Sequence, residues 1–321
     1  MNKLSLQILC ATGAMTIFHV SAQTFPAKPI RLIVGFPAGG PADIIARTTG
    51  QKLAEIVGQQ VIIDNRGGAS GMIAAELLAK SPADGYHTYL AGVGVMTTNP
   101  VLYRKVPYSL NDFALVTLAV KVPEALVVHP ALPVKTTKEL VALAKSRPGE
   151  LNYGSAGSGG VPHLAAELFR TAANIKINHI PYKGAAPAVA DMLGGHTQLG
   201  FWDIPILVPH VGSGKLRALM IATANRFSGF PAVPTSAEAG FASVIIDNWY
   251  CIVVPAATPK DIIARLQSVY AQALQSPEVR DRLGAQGVVT VGSTAEEMAR
   301  FLKAESVKWV GVAKATGITL D

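Results

Sequence analysis

A strand, a turn rich in glycine and proline, and a helix follow one another twice in this chain. The first copy is RLIVGFPAGGPADIIAR, residues 31–47, and the second is LNYGSAGSGGVPHLAAELF, residues 151–169. In both copies an apolar run precedes the turn, and apolar residues at helical spacing follow it. This alternation of strands and helices predicts an α/β fold with a mostly parallel sheet.

Around each copy the pattern extends to β-α-β-α-β, over residues 30–92 and again over residues 151–203. Residues 125–145 and residues 250–267 also resemble each other, because each segment has an apolar strand, a turn between two prolines and a helix. We interpret these two segments as matching crossings between two similar lobes. A single large α/β sheet with coincidental similarities is the alternative.

The two turns have the composition of an anion-binding site. A helix N-terminus carries unpaired N–H groups and a partial positive charge. Glycine allows a ligand to approach those groups closely. Pro41 and Pro162, at early helical positions, favour helix initiation and remove no needed donor. We therefore predict that the two helix N-termini together hold a negatively charged ligand. The alternative is that the glycines only permit tight turns.

Residues 1–22 have the layout of a cleaved secretory signal, which predicts an exported protein. Lys3 gives a basic start, residues 4–20 are mostly apolar, and Val20-Ser21-Ala22 supplies small residues before the expected cleavage site. A membrane anchor is the alternative, although no second apolar span follows. Cleavage after Ala22 would leave Cys251 as the only cysteine, so we expect no intramolecular disulfide.

The charge balance favours a small anionic partner. The formal net charge is +7 at pH 7, and loss of Lys3 with the signal would reduce it by one. The lysines and arginines are scattered, without a run of four or more. A nucleic-acid partner is therefore not expected, because such partners require a basic patch or stripe.

The motifs of common enzyme classes are absent, and we predict no catalysis, metal or cofactor. No serine lies in a G-x-S-x-G elbow, the glycine-rich turns lack the P-loop lysine, and the seven histidines form no H-E-x-x-H motif. An exported serine hydrolase that uses Ser155 and His163 is the enzymatic alternative. We expect His163 in the first turn of its helix, where it either donates to a ligand or caps locally. We expect Asp43 as a cap in the matching helix, and Asp203 at the cleft rim.

Five segments carry a family resemblance: KPIRLIVGFPAGGPADIIAR, DNRGGASGMIAAELLAKSPADGYHTYL, NYGSAGSGGVPHLAAELF, HIPYKGAAPAVADMLGGHTQLGFWD and VPTSAEAG. In these segments the chain closely resembles the Bug-type periplasmic receptors, the solute-binding proteins of tripartite tricarboxylate transporters. The resemblance spans residues 25–318. It implies a two-lobed Venus-flytrap protein, with lobe 1 from residues 23–124 and 247–321 and lobe 2 from residues 125–246.

The same resemblance implies a non-catalytic receptor that captures a small carboxylate, often a di- or tricarboxylate or an acidic amino acid, and delivers it to membrane permease subunits. We expect a monomer. A sensory receptor is a further alternative. Two departures, Gly160 in place of a common serine and Trp202 in place of a smaller residue, suggest a larger or aromatic carboxylate. The ligand contacts implied by the matching motifs are Phe36, Ala38, Gly39, Asp43, Ser155, Gly157, Ser158, His163 and Asp203.

Overall fold

The structure is a computed structural model that describes residues 25–318. The strands are β1 (Ile30–Val34), β2 (Val61–Asn65), β3 (His87–Gly92), β4 (Phe113–Val128), β5 (Asn152–Ser155), β6 (Asn178–Pro181), β7 (Leu199–Asp203), β8 (Arg217–Ile221), β9 (Asp247–Pro255) and β10 (Val289–Thr290). The α-helices are α1 (Pro41–Val57), α2 (Met72–Ala79), α3 (Asn99–Leu102), α4 (Thr137–Ser146), α5 (Val161–Ala173), α6 (Ala185–Leu193), α7 (Ile204–Gly212), α8 (Lys260–Gln275), α9 (Pro277–Gly284) and α10 (Ala295–Thr316).

The long strand β4 joins two half-sheets. The strand order is β2-β1-β3-β9-β4-β7-β5-β6, and β8 and β10 also pair with β4. The first part of β4 pairs with β9, from Phe113 to Pro123. Its last residues, from Glu124 to Val128, pair with β7. We call the half-sheet with β1, β2, β3 and β9 lobe 1, and the half-sheet with β5, β6 and β7 lobe 2.

The two predicted β-α-β-α-β units are confirmed, one in each lobe. In lobe 1, β1 lies between β2 and β3 and is parallel to both. In lobe 2, β5 lies between β6 and β7 and is likewise parallel to both. β1 and β5 therefore occupy equivalent central places, and the chain leaves each of them through one of the glycine-rich turns. The mixed character of the sheet arises from β4 and β9, which run antiparallel to their neighbours.

The helices bury the sheet in three apolar clusters. One cluster belongs to lobe 1, where Ile45, Leu53 and Leu266 from α1 and α8 cover the sheet. Another belongs to lobe 2 and includes Val189 and Leu207 from α6 and α7. The third cluster runs through both lobes. The two lobes therefore have separate cores on one face and a shared core on the other.

The C-terminal helix α10 covers this shared core. It packs on β4, on α5 of lobe 2 and on the short helical turn Gly94–Thr98 of lobe 1. Trp309 is fully buried in the shared core. The indole N–H groups of Trp249 and Trp309 both donate to Glu305 Oε2, at 2.8 Å each. α10, which the resemblance assigns to lobe 1, therefore contacts both lobes.

The predicted signal, residues 1–22, lies outside the described residues. Among residues 25–318, none of the helices has both the length and the apolar composition required to cross a bilayer. Cys251 is buried in β9 as a free thiol.

Candidate functional site

A cavity lies between the lobes, at the place where β1 and β5 end and α1 and α5 begin. The centres of water-sized molecules can occupy about 50 Å³ of it, so it has room for more than one water, each of which requires about 10–15 Å³ by this measure. Its walls contain the first residues of both helices, residues 92–95 after β3, and a polar group formed by Asp203, Asn248 and Tyr250. Thus the two glycine-rich turns face one enclosed space, as the anion-site prediction requires.

The first turn, residues 35–43, forms what we call corner 1. Gly40 is the N-cap of α1, and the cap has no side-chain hydrogen bond. Gly39 has φ +82°, a left-handed conformation that favours glycine. Its N–H donates to Asp43 Oδ2 at 2.9 Å, so the third residue of the helix holds the turn closed. Arg47 Nε donates to the same oxygen at 2.9 Å.

Asp43 is charged at neutral pH. Burial alone would raise its pKa, but hydrogen bonds from Arg47, Gly39 and Asn65 outweigh burial and lower the pKa below the ordinary value. A carboxylate in the first turn of a helix is also favoured by the helix dipole. Corner 1 therefore contains a permanent negative charge behind its backbone.

The second turn, residues 156–163, forms corner 2 and has the same backbone design. Gly160 is the N-cap of α5, again without a side-chain cap bond. Gly159 has φ +76°, and its N–H donates to His163 Nδ1 at 3.0 Å. His163, like Asp43, is the third residue of its helix. Burial lowers the pKa of His163 to about 4, so the ring is neutral.

Both corners keep free amide groups at the cavity. The first intrahelical bonds are donated by Ile44 to Gly40 O and by Leu164 to Gly160 O, at 3.0 and 3.1 Å. The amide groups before them, those of Ala42 in α1 and Val161 in α5, lie on residues that line the cavity. Because the N3 side chains bond back to the turns, these amides remain available to a ligand.

Three side chains of lobe 1 form hydrogen bonds directly to the backbone of corner 2. Ser70 Oγ and Tyr103 OH donate to Ser158 O at 2.7 and 2.8 Å. Thr98 Oγ1 donates to Gly159 O at 3.0 Å. We call these the interlobe bonds. They connect the lobes directly and also fix the orientation of the peptide groups of corner 2.

The segment that supplies Ser70 is strained. Ala69 and Ser70 have φ +46° and +50°, a region that non-glycine residues rarely adopt. A second, outer cavity lies beside Ser70 and includes Tyr103, Ser158 and Lys183 in its wall. Ser70 lines both cavities, so it stands between the enclosed space and the outer one.

The polar wall of the main cavity is centred on Asp203, at the end of β7. Asn248 Nδ2 donates to both carboxylate oxygens at 2.9 and 3.0 Å, and Tyr250 OH donates to Oδ2 at 3.2 Å. The N–H of Trp249 donates to Asn248 Oδ1, which fixes the amide with its NH₂ towards Asp203. Burial raises the pKa of Asp203 to about 7, although the two hydrogen bonds partly oppose the shift.

A second acid, Glu124, lies directly opposite Asp203 on β4. It is fully buried, and neither of its carboxylate oxygens has a hydrogen-bond partner among residues 25–318. Burial, followed by the charge of Asp203, raises the pKa of Glu124 well above its ordinary value. Hydrogen bonds to both oxygens of Asp203 favour the negative charge on Asp203 over a charge on Glu124.

A buried histidine stack supports corner 2 from behind. Ser155 Oγ hydrogen-bonds His179 Nε2 at 2.6 Å. The rings of His179 and His163 stack with centroids 3.9 Å apart, and Tyr153 continues the stack. Burial, with a smaller effect from His163, lowers the pKa of His179 to about 4.

This stack corrects the pairing on which the hydrolase alternative depended. Ser155 hydrogen-bonds His179, whereas the Nδ1 atom of His163 accepts the Gly159 N–H. Ser155 is fully buried. Its hydroxyl also accepts the Gly157 N–H at 3.2 Å, so it braces the turn instead of facing the cavity.

The structure separates the residues that the resemblance implied as ligand contacts. Phe36 and Asp203 line the main cavity. Gly157 and Ser158 line the outer cavity, and Ser158 accepts the interlobe bonds through its carbonyl.

The other implied contacts lie around the corners. Asp43, Ser155 and His163 are buried behind the turns and shape them. Ala38 and Gly39 are exposed at the tip of corner 1. Three polar residues of the cavity wall to which the sequence assigned no ligand role, Ser70, Asn248 and Tyr250, approach it from other parts of the chain.

No metal site accompanies these groups in the part of the chain that is described. Within residues 25–318, no cluster of three or more histidine, cysteine, aspartate or glutamate side chains has the arrangement to hold a metal ion.

Comparison with known proteins gives a consistent result. The family model described as "Tripartite tricarboxylate transporter family receptor" matches residues 45–318. Protein BugT of Bordetella pertussis is 39% identical over 303 residues, covering 94% of this chain and 93% of that protein. The R. palustris protein Rpa4515, solved with adipate, is 36% identical with a TM-score of 0.90, covering 92% of this chain and 99% of that chain.

MatC from Rhodopseudomonas palustris, solved with bound malate, is 28% identical with a TM-score of 0.85, covering 90% of this chain and 99% of that chain. These likenesses confirm the predicted two-lobed periplasmic-binding-protein fold. The chain belongs to the tripartite tricarboxylate transporter receptor family, the family of the Bug proteins.

Proposed function

We propose that this protein is a periplasmic receptor that captures a small carboxylate in the main cavity and delivers it to a membrane transporter. The observation that carries the proposal is the pair of matched corners, whose free helix N-terminal amides face one enclosed space. Such amides favour a negatively charged group. The two relatives solved with adipate and malate support a carboxylate as that group.

Capture would work by closure of the lobes. A ligand can touch both corners only when the lobes are together, so binding favours the closed state. The interlobe bonds from Ser70, Thr98 and Tyr103 form in this state and add to its stability. The closed form would then dock on the permease subunits, after export directed by the predicted signal at residues 1–22. We assign residues 23–124 and 247–321 to one lobe and residues 125–246 to the other.

The arrangement supports binding without catalysis. The best nucleophile–base pair near the cavity, Ser155 and His179, is buried in the support of corner 2. In the proposed site, the backbone amides of α1 and α5 hold the carboxylate, Phe36 and Asp203 contact the rest of the ligand, and the other residues of the two corners position the amides.

A thermal-shift screen of the mature chain against mono-, di- and tricarboxylates tests the proposal. A ligand that binds only the folded state raises the melting temperature, so at least one carboxylate should do so while neutral sugars do not. If a neutral sugar raised the melting temperature and none of the carboxylates did, the result would contradict the proposal.

Gly184→Ala provides a variant that should not close. A Cβ at Gly184 would lie 2.6 Å from Pro37 Cδ across the cleft, so carboxylate-induced stabilisation should disappear. Gly149→Ala is the control, because Gly149 also has a positive φ but its Cβ would enter open space. Equal ligand shifts in both variants would exclude closure as the binding step.

A further inference from the structure

We propose that the main cavity is bipolar and selects a carboxylate that also bears an ammonium group, an amino carboxylate, over a dicarboxylate of the same length. This inference rests on the proposed function, since it assumes that the two corners hold one carboxylate. Asp203 is the residue that would recognise the ammonium group.

The first support is the burial of a charge without a cation. Asp203 is only 5% exposed, and it lines the cavity. Its hydrogen-bond donors within residues 25–318 are the Asn248 amide and the Tyr250 hydroxyl, both uncharged. A buried carboxylate is costly unless it is paired. A cationic group in the cavity would supply the missing partner.

The second support is the unused acceptor capacity of Asp203. Its Oδ2 accepts bonds from Asn248 and Tyr250, whereas its Oδ1 accepts one bond, from Asn248. A carboxylate oxygen has two lone pairs, so Oδ1 can accept another hydrogen bond. Because Trp249 fixes the Asn248 amide, that amide cannot rotate to present its oxygen to Asp203 in place of its N–H. The wall therefore suits a ligand that donates hydrogen bonds.

The third support is a second acid, Glu124, which lies beside Asp203 but does not itself line the cavity. Glu124 and Asp203 are directly opposed on antiparallel strands, so their side chains lie on one face of the sheet, with Cβ atoms about 5 Å apart. Burial and the charge of Asp203 favour the neutral form of Glu124, so the pair offers one negative charge, on Asp203, and that charge disfavours another nearby. A dicarboxylate that placed its second carboxylate at this wall would meet repulsion, while an ammonium group would be attracted.

Both acids have raised pKa values, since burial disfavours their charged forms. A bound ammonium group would stabilise the charge on Asp203. Two walls of one cavity thus have opposite preferences: the helix N-termini favour an anion, and the Asp203 wall favours a cation.

The test is a calorimetric comparison of length-matched pairs on the mature, full-length chain. The pairs are γ-aminobutyrate and succinate, δ-aminovalerate and glutarate, and ε-aminocaproate and adipate, with butyrate, valerate and caproate as ligands that lack the second group. At about pH 8 all carboxyl groups of these ligands are ionised and the amines are protonated. In the best-fitting pair, the amino carboxylate should bind about tenfold tighter than the dicarboxylate and the monocarboxylate.

Asp203→Asn keeps the size of the side chain and removes the charge. The amino carboxylate should lose about tenfold or more in affinity, and the dicarboxylate should gain. Asp261→Asn, which removes a charge from the exposed first turn of α8, should leave the preference unchanged.

The inference is overturned if the wild-type protein binds the dicarboxylates as tightly as their amino counterparts, or if the monocarboxylates match the amino carboxylates. These outcomes depend only on the wild type, so they hold even if Asp203→Asn fails to fold. An unchanged preference in a folded Asp203→Asn protein overturns it as well. If no carboxylate of any type binds here or in the wider screen, the proposed function itself fails.

Discussion

Corner 1 and corner 2 have the same backbone but different side-chain chemistry. In both, a left-handed glycine donates its N–H to the side chain of the third helical residue, Asp43 in one corner and His163 in the other. A carboxylate oxygen and a neutral imidazole nitrogen thus do the same structural work. The comparison shows that this turn requires an acceptor at the third helical position and does not require a charge there.

The neighbour one helical turn later explains why the acceptors differ. In α1 that neighbour is Arg47, which bonds Asp43. In α5 it is Glu167, whose carboxylate is bonded by Tyr153 and Arg170. A charged acceptor is therefore compensated in corner 1, whereas a second carboxylate in corner 2 would face a like charge.

The largest effect should come from placing a charge in corner 2. His163→Asp and His163→Asn both offer an oxygen acceptor and differ in charge. The asparagine variant should lose about 1–2 kcal/mol of unfolding free energy with the imidazole stack. The aspartate variant should lose about 3 kcal/mol more at neutral pH, because it buries an unpaired charge.

Urea denaturation of both variants measures this difference, with Asp43→Asn as the control in corner 1. Removal of the Asp43 charge should cost only about 1 kcal/mol, since the amide oxygen still accepts the Gly39 N–H. If His163→Asp were no less stable than His163→Asn, the neighbour at the next turn would not determine the acceptor.

The next largest effect should be a difference between the two corners in how pH changes their contribution to stability. The pKa values of His163 and His179 are lowered to about 4, so their contribution to stability is complete above about pH 6.5 and is lost as the pH falls towards 4. The lowered pKa of Asp43 has its effect only below the ordinary value of 3.8. Corner 2 should therefore weaken in mild acid, and corner 1 should not.

Asp203 and Glu124 act in the opposite direction over much of this range, because raised carboxyl pKa values make the folded state less stable as the pH rises. The comparison is therefore made between wild type and His179→Gln, which share these acids. The stability advantage of wild type should shrink by roughly 2 kcal/mol between neutral pH and about pH 4.5. Histidine NMR titrations near pH 6.5 for both rings would contradict the expectation.

The design of each corner could be predicted because it depends on neighbours in the chain. Gly39 and Asp43, like Gly159 and His163, are four residues apart, so the Gly-Gly pair, the early proline and the polar N3 residue indicate the turn directly. The sequence also allowed His163 to be a ligand donor or a local cap. The bond from Gly159 identifies the cap.

The cavity walls could not be predicted, because they depend on contacts between distant segments. Asp203 meets Asn248 only because β7 and β9 both pair with β4. Ser155 meets His179 because β5 and β6 run side by side in parallel register. Strand register is set by the whole sheet and leaves no fixed spacing in the sequence.

A smaller effect on ligand affinity should come from the hydrogen bonds that join each corner to residues outside its own turn. Corner 2 is held by lobe 1 through Tyr103 and Ser70, whereas the carbonyl of Phe36 in corner 1 accepts a bond from Asn65 of the same lobe, at 3.0 Å. Tyr103→Phe should therefore weaken carboxylate binding about three- to tenfold, the loss of about one hydrogen bond in the closed state.

Tyr103→Phe should also leave the urea midpoint of the ligand-free protein nearly unchanged, while Asn65→Ala should lower that midpoint. Calorimetry with the best carboxylate from the screen gives the binding affinities of wild type and of both variants. If Tyr103→Phe destabilised the free protein and kept full affinity, its hydroxyl would serve the fold and not closure.

The smallest effect should come from Arg47, the compensating cation of corner 1. Its side chain is 56% exposed, while Asp43 is buried. Solvent screening limits such a pair, so Arg47→Ala should cost only about 0.5–1 kcal/mol of unfolding free energy at low salt, and less at about 1 M salt. Lys80→Ala is a control, since Lys80 forms a comparable but fully superficial pair with Glu76 one helical turn away. If Arg47→Ala lost much more unfolding free energy and the loss did not depend on salt, Asp43 would require Arg47 in the way that a buried charge requires a partner. The two corners would then differ in their need for a compensating charge as well as in the residue that accepts the glycine N–H.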